Sequence, residues 1–216
     1  GVQVQALLKK ASKLDIQMIC PLHGPILKEN LGYYIDKYDT WSSYKPEDKG
    51  VYIACSSIYG NTLKVAQKQA EILKEKGIEK VVIGDLTKED WAEAVEDAFR
   101  YSHLIVASSS YNAGLFPPMK QFLDHLKERN YQNRTVGIIE NRKYQLHFLP
   151  RNYQNRTVGI IENGSWAPSA GKCMKDTLQS MKNINIIEPV ITVKSTMNDE
   201  NIAQMEQMAN DILETF

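Results

Sequence analysis

From Val51 onward the chain repeats one pattern: a short continuous apolar run, a loop, then an amphipathic stretch long enough for a helix. "VYIAC" (51–55) leads to "LKVAQKQAEILKEKG" (63–77), where Gly77 stands just past a helix C-terminus. "KVVIGDL" (80–86) leads to "KEDWAEAVEDAFRY" (88–101), and "HLIVASSS" (103–110) to "MKQFLDHLKER" (119–129). "RTVGIIEN" leads to "KCMKDTLQSMKN" (172–183), and "IIEPVITVKS" (186–195) to "NDENIAQMEQMANDILETF" (198–216). Runs that are apolar throughout predict strands buried on both faces. Their alternation with helices predicts an α/β fold with a five-stranded parallel sheet, doubly wound because crossovers are right-handed.

One strand is present twice. "RNYQNRTVGIIEN" runs from Arg129 to Asn141 and again from Arg151 to Asn163, an offset of 22 residues. Copies of an old repeat unit would have drifted, so this reads as a recent tandem duplication. If the first copy forms the strand, 22 residues separate "GSWAP" from it. If the second copy does, the extra chain leaves at the opposite edge, where lengthening a loop costs only about 0.6 kcal/mol per doubling. The second copy is therefore the expected strand. The first copy can fold as a hairpin over "TVGIIENRKYQLHFL", with Tyr144, Leu146 and Phe148 on one face, or pair with a neighbouring molecule in a homodimer, since unpaired apolar strands invite association.

Residues 1–48 read as a helix ("VQALLKKASKL"), a short strand ("IQMICPL"), a loop ("HGPI") and a second helix ("ENLGYYIDKYDTWSSY"), too little to bury a core alone. "SSYKPEDKG" reads as a linker. The chain begins inside a periodic segment and reads as a piece of a longer protein. Lys plus Arg equals Asp plus Glu, at 26 each, so charge offers no reason to expect nucleic acid or an anionic membrane. No apolar run approaches the roughly 18 residues of a membrane span. Cys20, Cys55 and Cys173 are odd in number and widely spaced, which points to free thiols in a reducing, cytoplasmic setting.

In such a sheet, ligands sit beyond the carboxyl ends of the strands. Three loops of unusual composition leave those ends. In "SSIYGNT", Ser57, Gly60, Asn61 and Thr62 form a small hydroxyl-rich turn opening into a helix, whose unpaired N–H groups suit a phosphate. An ordinary Ser/Asn helix cap fits the same composition equally well. In "SSSYNAGLFP" and "GSWAPSAG", Tyr111 and Trp166 stand beside Gly114 and Gly164. Two aromatics flanking one crevice can sandwich a planar ring. Together the loops suggest a phosphorylated, ring-bearing cofactor.

"SSIYGNT", "YNAGLFPPMKQFLDHL" and "RTVGIIENGSWAPSAGK" closely resemble the flavodoxin-like domain of flavodiiron proteins, also called A-type flavoproteins. The resemblance spans Lys49 to Phe216 apart from the insert, and residues 1–48 resemble the end of the metallo-β-lactamase-like domain that precedes it. It implies strand order 2-1-3-4-5 and FMN as cofactor. Ser57, Ile58, Tyr59, Gly60, Asn61 and Thr62 would hold the phosphate. Ser110, Tyr111, Asn112, Ala113 and Gly114, with Asn163, Gly164, Ser165, Trp166 and Ala167, would frame the isoalloxazine. It also implies a small rubredoxin-like electron donor and a diiron site that reduces oxygen or nitric oxide.

The chain departs from that family twice. His23 in "PLHGPI" matches an iron ligand of the family, but the upstream HxExD-type cluster is missing. One imidazole does not make a diiron site, so the expectation is an electron-carrying fragment without reductase activity. The insert also interrupts the flavin domain just before a cofactor loop. The rival readings are a flavodoxin-like quinone reductase and a non-enzymatic scaffold whose FMN site the insert has broken. A metallo-hydrolase fails on ligand count.

Overall fold

The computed structural model describes residues 1–112, 114–137, 158–163, 169–194 and 196–216. The chain divides into two compact units, Gly1–Glu47 and Asp48–Phe216.

The first unit holds α1 (Val2–Ala11) and α2 (Leu31–Ser42). The Gln5 side-chain amide ties them together by donating to Asp39 Oδ1 at 2.9 Å and Ser42 Oγ at 2.8 Å. Ser42 is its one buried residue. The strand expected in "IQMICPL" is reduced to a single antiparallel bridge, Ile19 with Leu27. Pro21 and Pro25 lack the N–H groups a ladder would use on either side of the turn.

The second unit carries the sheet. Its elements are β1 (Asp48–Ser56), α3 (Asn61–Glu75), β2 (Val81–Asp85), α4 (Trp91–Arg100), β3 (Tyr101–Tyr111) and β4 (Gly114–Leu115). Then come α5 (Pro117–Glu128), β5 (Arg134–Gly137), β6 (Val158–Asn163), α6 (Ala170–Gln179), β7 (Ile184–Ile187), β8 (Ile191–Val193) and α7 (Asp199–Glu214). The fold is mixed α/β with a mostly parallel sheet. The strands run β2-β1-β3-β5-β7, with β6 beside β3 and β8. Val51–Cys55 of β1 and Leu104–Ala107 of β3 are at most 1% exposed, as continuous apolar runs require when both faces are covered.

Helix ends follow local chemistry. Asp90 caps α4 by accepting from the Ala92 amide at 2.7 Å. Asn198 and Asn201 exchange side-chain-to-backbone hydrogen bonds at the start of α7. Helix α5 begins at Pro117, two residues earlier than the sequence reading, because proline is pre-organised for the first helical turn.

The repeated strand has an outcome the sequence reading did not anticipate. Among its described residues the first copy meets β3 only where Thr135 pairs His103, and it keeps to β7 through Val136–Ile186 and Gly137–Ile187. Tyr144, Leu146 and Phe148 of the expected hairpin lie outside the described residues. The second copy takes over the β3 ladder at the next rung, Leu104 with Val158, and holds it to Ser109 with Asn163. Its other side pairs β8. The expectation that the second copy alone forms the strand is thus corrected: each copy supplies one part of the fourth position. The expected single fifth strand is likewise two, β7 and β8, separated by Glu188–Val190. Pro189 within that gap has no N–H to give a ladder.

Opposite the first copy, His103 is buried on β3. Its Nδ1 lies 2.8 Å from Ser102 Oγ and its Nε2 lies 3.2 Å from Thr215 Oγ1. Its ring stacks on Phe216 at 4.3 Å. Burial, against a hydrogen bond with the Gly50 backbone and with Lys49 nearby, lowers its pKa from 6.5 to about 4. The unfolded chain therefore takes up a proton that the folded chain refuses. Stability is full above pH 6.5 and falls as the pH drops toward 4, by about 3 kcal/mol from this residue. Urea unfolding at pH 7.5 and 4.5 should show that loss, and His103→Gln should flatten it; an equal loss in the variant would assign the acid sensitivity elsewhere.

Candidate functional site

Strand register places the carboxyl ends of three strands side by side. Ser56 at the end of β1 pairs Ser108 of β3, and Ser109 pairs Asn163 at the end of β6. The chain leaving these residues supplies the loops singled out above, so residues 57–62 and 110–114 come to one edge of the sheet. Of the third loop, Gly164, Ser165, Trp166 and Ala167 lie outside the described residues, as does Ala113. Asn163 is placed by its backbone alone.

The first loop, residues 57–60, turns sharply into α3. Gly60 takes φ +84°, a left-handed conformation, and a Cβ there would meet no atom within 4 Å. No side chain caps α3. The N–H groups of its opening residues therefore have no intrahelical partner, and the helix dipole adds partial positive charge. Ser57 Oγ is buried without a hydrogen-bond partner among the described residues. Such an orphan costs about 1–3 kcal/mol unless something satisfies it. Thr62 is fully buried, with Oγ1 3.0 Å from Ser109 Oγ. Tyr59 is 91% exposed at the tip of the turn.

The second loop is a tight hairpin. Tyr111 pairs Gly114 across it, and Asn112 takes φ +47° at its corner. Asn tolerates that left-handed position better than most residues. Tyr111 is 46% exposed, its ring tilted against Phe116 at 5.8 Å. The side chain of Ser110 turns toward α6, where its Oγ accepts from the amides of Ser169 at 3.1 Å and Ala170 at 3.2 Å. The sequence reading gave Ser110 to the ring. Among the described contacts it anchors the start of α6, which has no side-chain cap of its own.

Cys55 precedes Ser56 in β1 and is fully buried. Burial, with the Asp85 carboxylate adjacent in register, pushes Cys55 up to about 12. His23 is exposed in a bend of the first unit. Among the described residues no group of three or more His, Cys, Asp or Glu could hold a metal ion. No helix there is long and apolar enough to cross a membrane. Sequence reasoning missed the hydroxyl pairs Ser56–Ser108 and Thr62–Ser109; the signal was the double serine at 56–57 and the triple serine at 108–110.

No family model matches the chain. It is 34% identical over 119 residues to an uncharacterized protein of Methanocaldococcus jannaschii, covering 55% of this chain and 30% of that protein. It is 24% identical over 199 residues to a nitric oxide reductase of Moorella thermoacetica, covering 92% of this chain and 44% of that one. Its fold matches the rubredoxin oxygen:oxidoreductase of Desulfovibrio gigas with a TM-score of 0.81 at 19% identity, over 99% of this chain and 48% of that chain. It matches the flavodiiron protein of Giardia intestinalis with a TM-score of 0.78 at 18% identity, over 99% and 47%. The chain spans less than half the length of each. A sequence match along most of the chain and a shared fold agree, and the chain is similar to flavodiiron proteins in both.

Proposed function

We propose that residues 49–216 form a flavodoxin-like, FMN-binding electron-transfer domain of flavodiiron type, a doubly wound sheet with five strand positions. Residues 1–48 are then the end of a metallo-β-lactamase-like domain. The observation that carries the reading is the first loop: a left-handed Gly60, an uncapped α3 and an orphaned Ser57 hydroxyl, all at one point. A phosphate there would accept from the opening amides of α3 and from Ser57, satisfying donors that otherwise have none. The loop has no Lys or Arg, so its donors are neutral, in keeping with a single phosphate.

In this reading Ser57 through Thr62 hold the phosphate, and the hairpin Ser110 to Gly114 stands at the ring end with Asn163 through Ala167. FMN, when bound, supplies one- and two-electron redox chemistry. The chain's own contribution is to fix the anion and limit water at the sheet edge. The donors for iron do not fit: His23 stands exposed, and among the described residues no group of three or more His, Cys, Asp or Glu could hold a metal ion, so no step is assigned to a metal. The neighbour from Desulfovibrio gigas carries rubredoxin in its name, which supports a rubredoxin-like protein as electron donor.

Titration of the apo-protein with FMN, followed by flavin fluorescence, tests the reading. One-to-one quenching is expected. A folded protein that leaves the fluorescence unchanged would overturn it in favour of a scaffold that has lost its cofactor.

A further inference from the structure

Near its carboxyl end strand β3 carries Ser108, Ser109 and Ser110, whose side chains alternate between the two faces of the sheet. Ser108 Oγ meets Ser56 Oγ at 2.9 Å, and Ser110 anchors α6. Ser109 alone turns to α3, where its Oγ lies 3.0 Å from Thr62 Oγ1. Both side chains are buried, Thr62 at 0% and Ser109 at 9% exposure. Thr62 is the second residue of α3, among the amides that have no intrahelical acceptor.

A hydroxyl has one proton to donate and lone pairs to accept. In the Thr62–Ser109 pair one of the two donates. An anion at the start of α3 breaks the tie. A charged oxygen is the stronger acceptor, and the Thr62 proton is the one within the anion's turn. Thr62 then gives its proton to the anion, and Ser109 gives its own to Thr62 Oγ1. Two consecutive donations in one direction also hold Thr62 in a single rotamer.

We propose that Ser109 is a positioning residue for phosphate: it never touches the ligand, but it aims the Thr62 hydroxyl and so sets the preference for a phosphorylated over an unphosphorylated flavin. This rests on the FMN reading given above.

The test is titration of the full chain with FMN and with riboflavin, which lacks the phosphate, by fluorescence quenching. Wild type, Ser109→Ala, Ser109→Thr, Thr62→Val and the Ser109→Ala/Thr62→Val double variant are compared, with circular dichroism to establish that each is folded. Ser109→Ala should weaken FMN binding about tenfold, the scale of one hydrogen bond to a charged group, and riboflavin binding less than about twofold. Ser109→Thr should restore FMN binding, and Ser109→Ala should add nothing on the Thr62→Val background. Equal losses for both flavins, undiminished FMN binding, or additive losses in the double variant would each overturn the proposal. A wild type that binds FMN no better than riboflavin would instead overturn the phosphate site on which it rests.

Discussion

Gly84→Ala should cost the domain about 3 kcal/mol or more, through overpacking and the disruption of a partly buried hydrogen bond. Gly84 sits on β2 beneath the Tyr52 side chain, which crosses from β1 and donates to Glu89 Oε2 at 3.0 Å. A Cβ on Gly84 would run into both the Tyr52 hydroxyl and the Glu89 carboxylate. Tyr52 is fully buried and its ring packs edge-on against Phe122 at 6.5 Å, so it has little room to withdraw. Burial also raises the pKa of the Glu89 carboxyl, and the Tyr52 hydroxyl opposes that rise. Moving the tyrosine would therefore remove the carboxylate's hydrogen-bonding partner as well as strain the packing. For a domain of this size the loss corresponds to a fall in Tm of roughly 6–12 °C. Tyr52→Phe on the Gly84→Ala background removes one of the clashing atoms and should recover part of it. A Gly84→Ala protein with unchanged Tm would show that the crossing is loose.

How far the fold was legible depended on whether a signal was local. Continuous apolar runs in β1 and β3 reported their burial directly, and Gly77 marked a helix end through its left-handed backbone, whereas Asp90 and Pro117, which open α4 and α5, were passed over. The loop of Ser57 to Thr62 was legible because a left-handed glycine and an open helix start leave a mark in residue type. The two-residue β4 was not, since nothing in Gly114–Leu115 distinguishes a hairpin return from a loop. Nor were the partners of the three serines: successive hydroxyls in one run go to β1, α3 and α6, and only the sheet's alternation assigns them. The split of the fourth strand was beyond any local reading. Two identical segments have identical propensities, and only the ladders of β3 on one side and β7 and β8 on the other decide which residues each copy contributes.

Removing 22 residues from the repeat should therefore stabilise the domain. Excision of residues 136–157 joins Thr135 to Val158, and the strand position reads "RNYQNRTVGIIEN" once, without a break. Excision of 129–150 or 142–163 yields the same polypeptide, so the outcome does not depend on which copy is removed. Every pair that Val158–Asn163 makes with β3 is retained. The rungs now shared between Val136 and Gly137 on β7 and Val158 and Gly159 on β3 would be served on both sides by one strand. Closing a loop of this length costs about 3 kcal/mol, and its removal should raise Tm by roughly 6–12 °C. In the intact chain, Val136→Pro and Val158→Pro should each lower Tm, because each removes an N–H from a strand that pairs a different neighbour. If one of the two substitutions were silent, a single copy would be carrying the strand. An unchanged Tm on excision would mean that the extra chain contributes packing equal to the closure entropy it imposes.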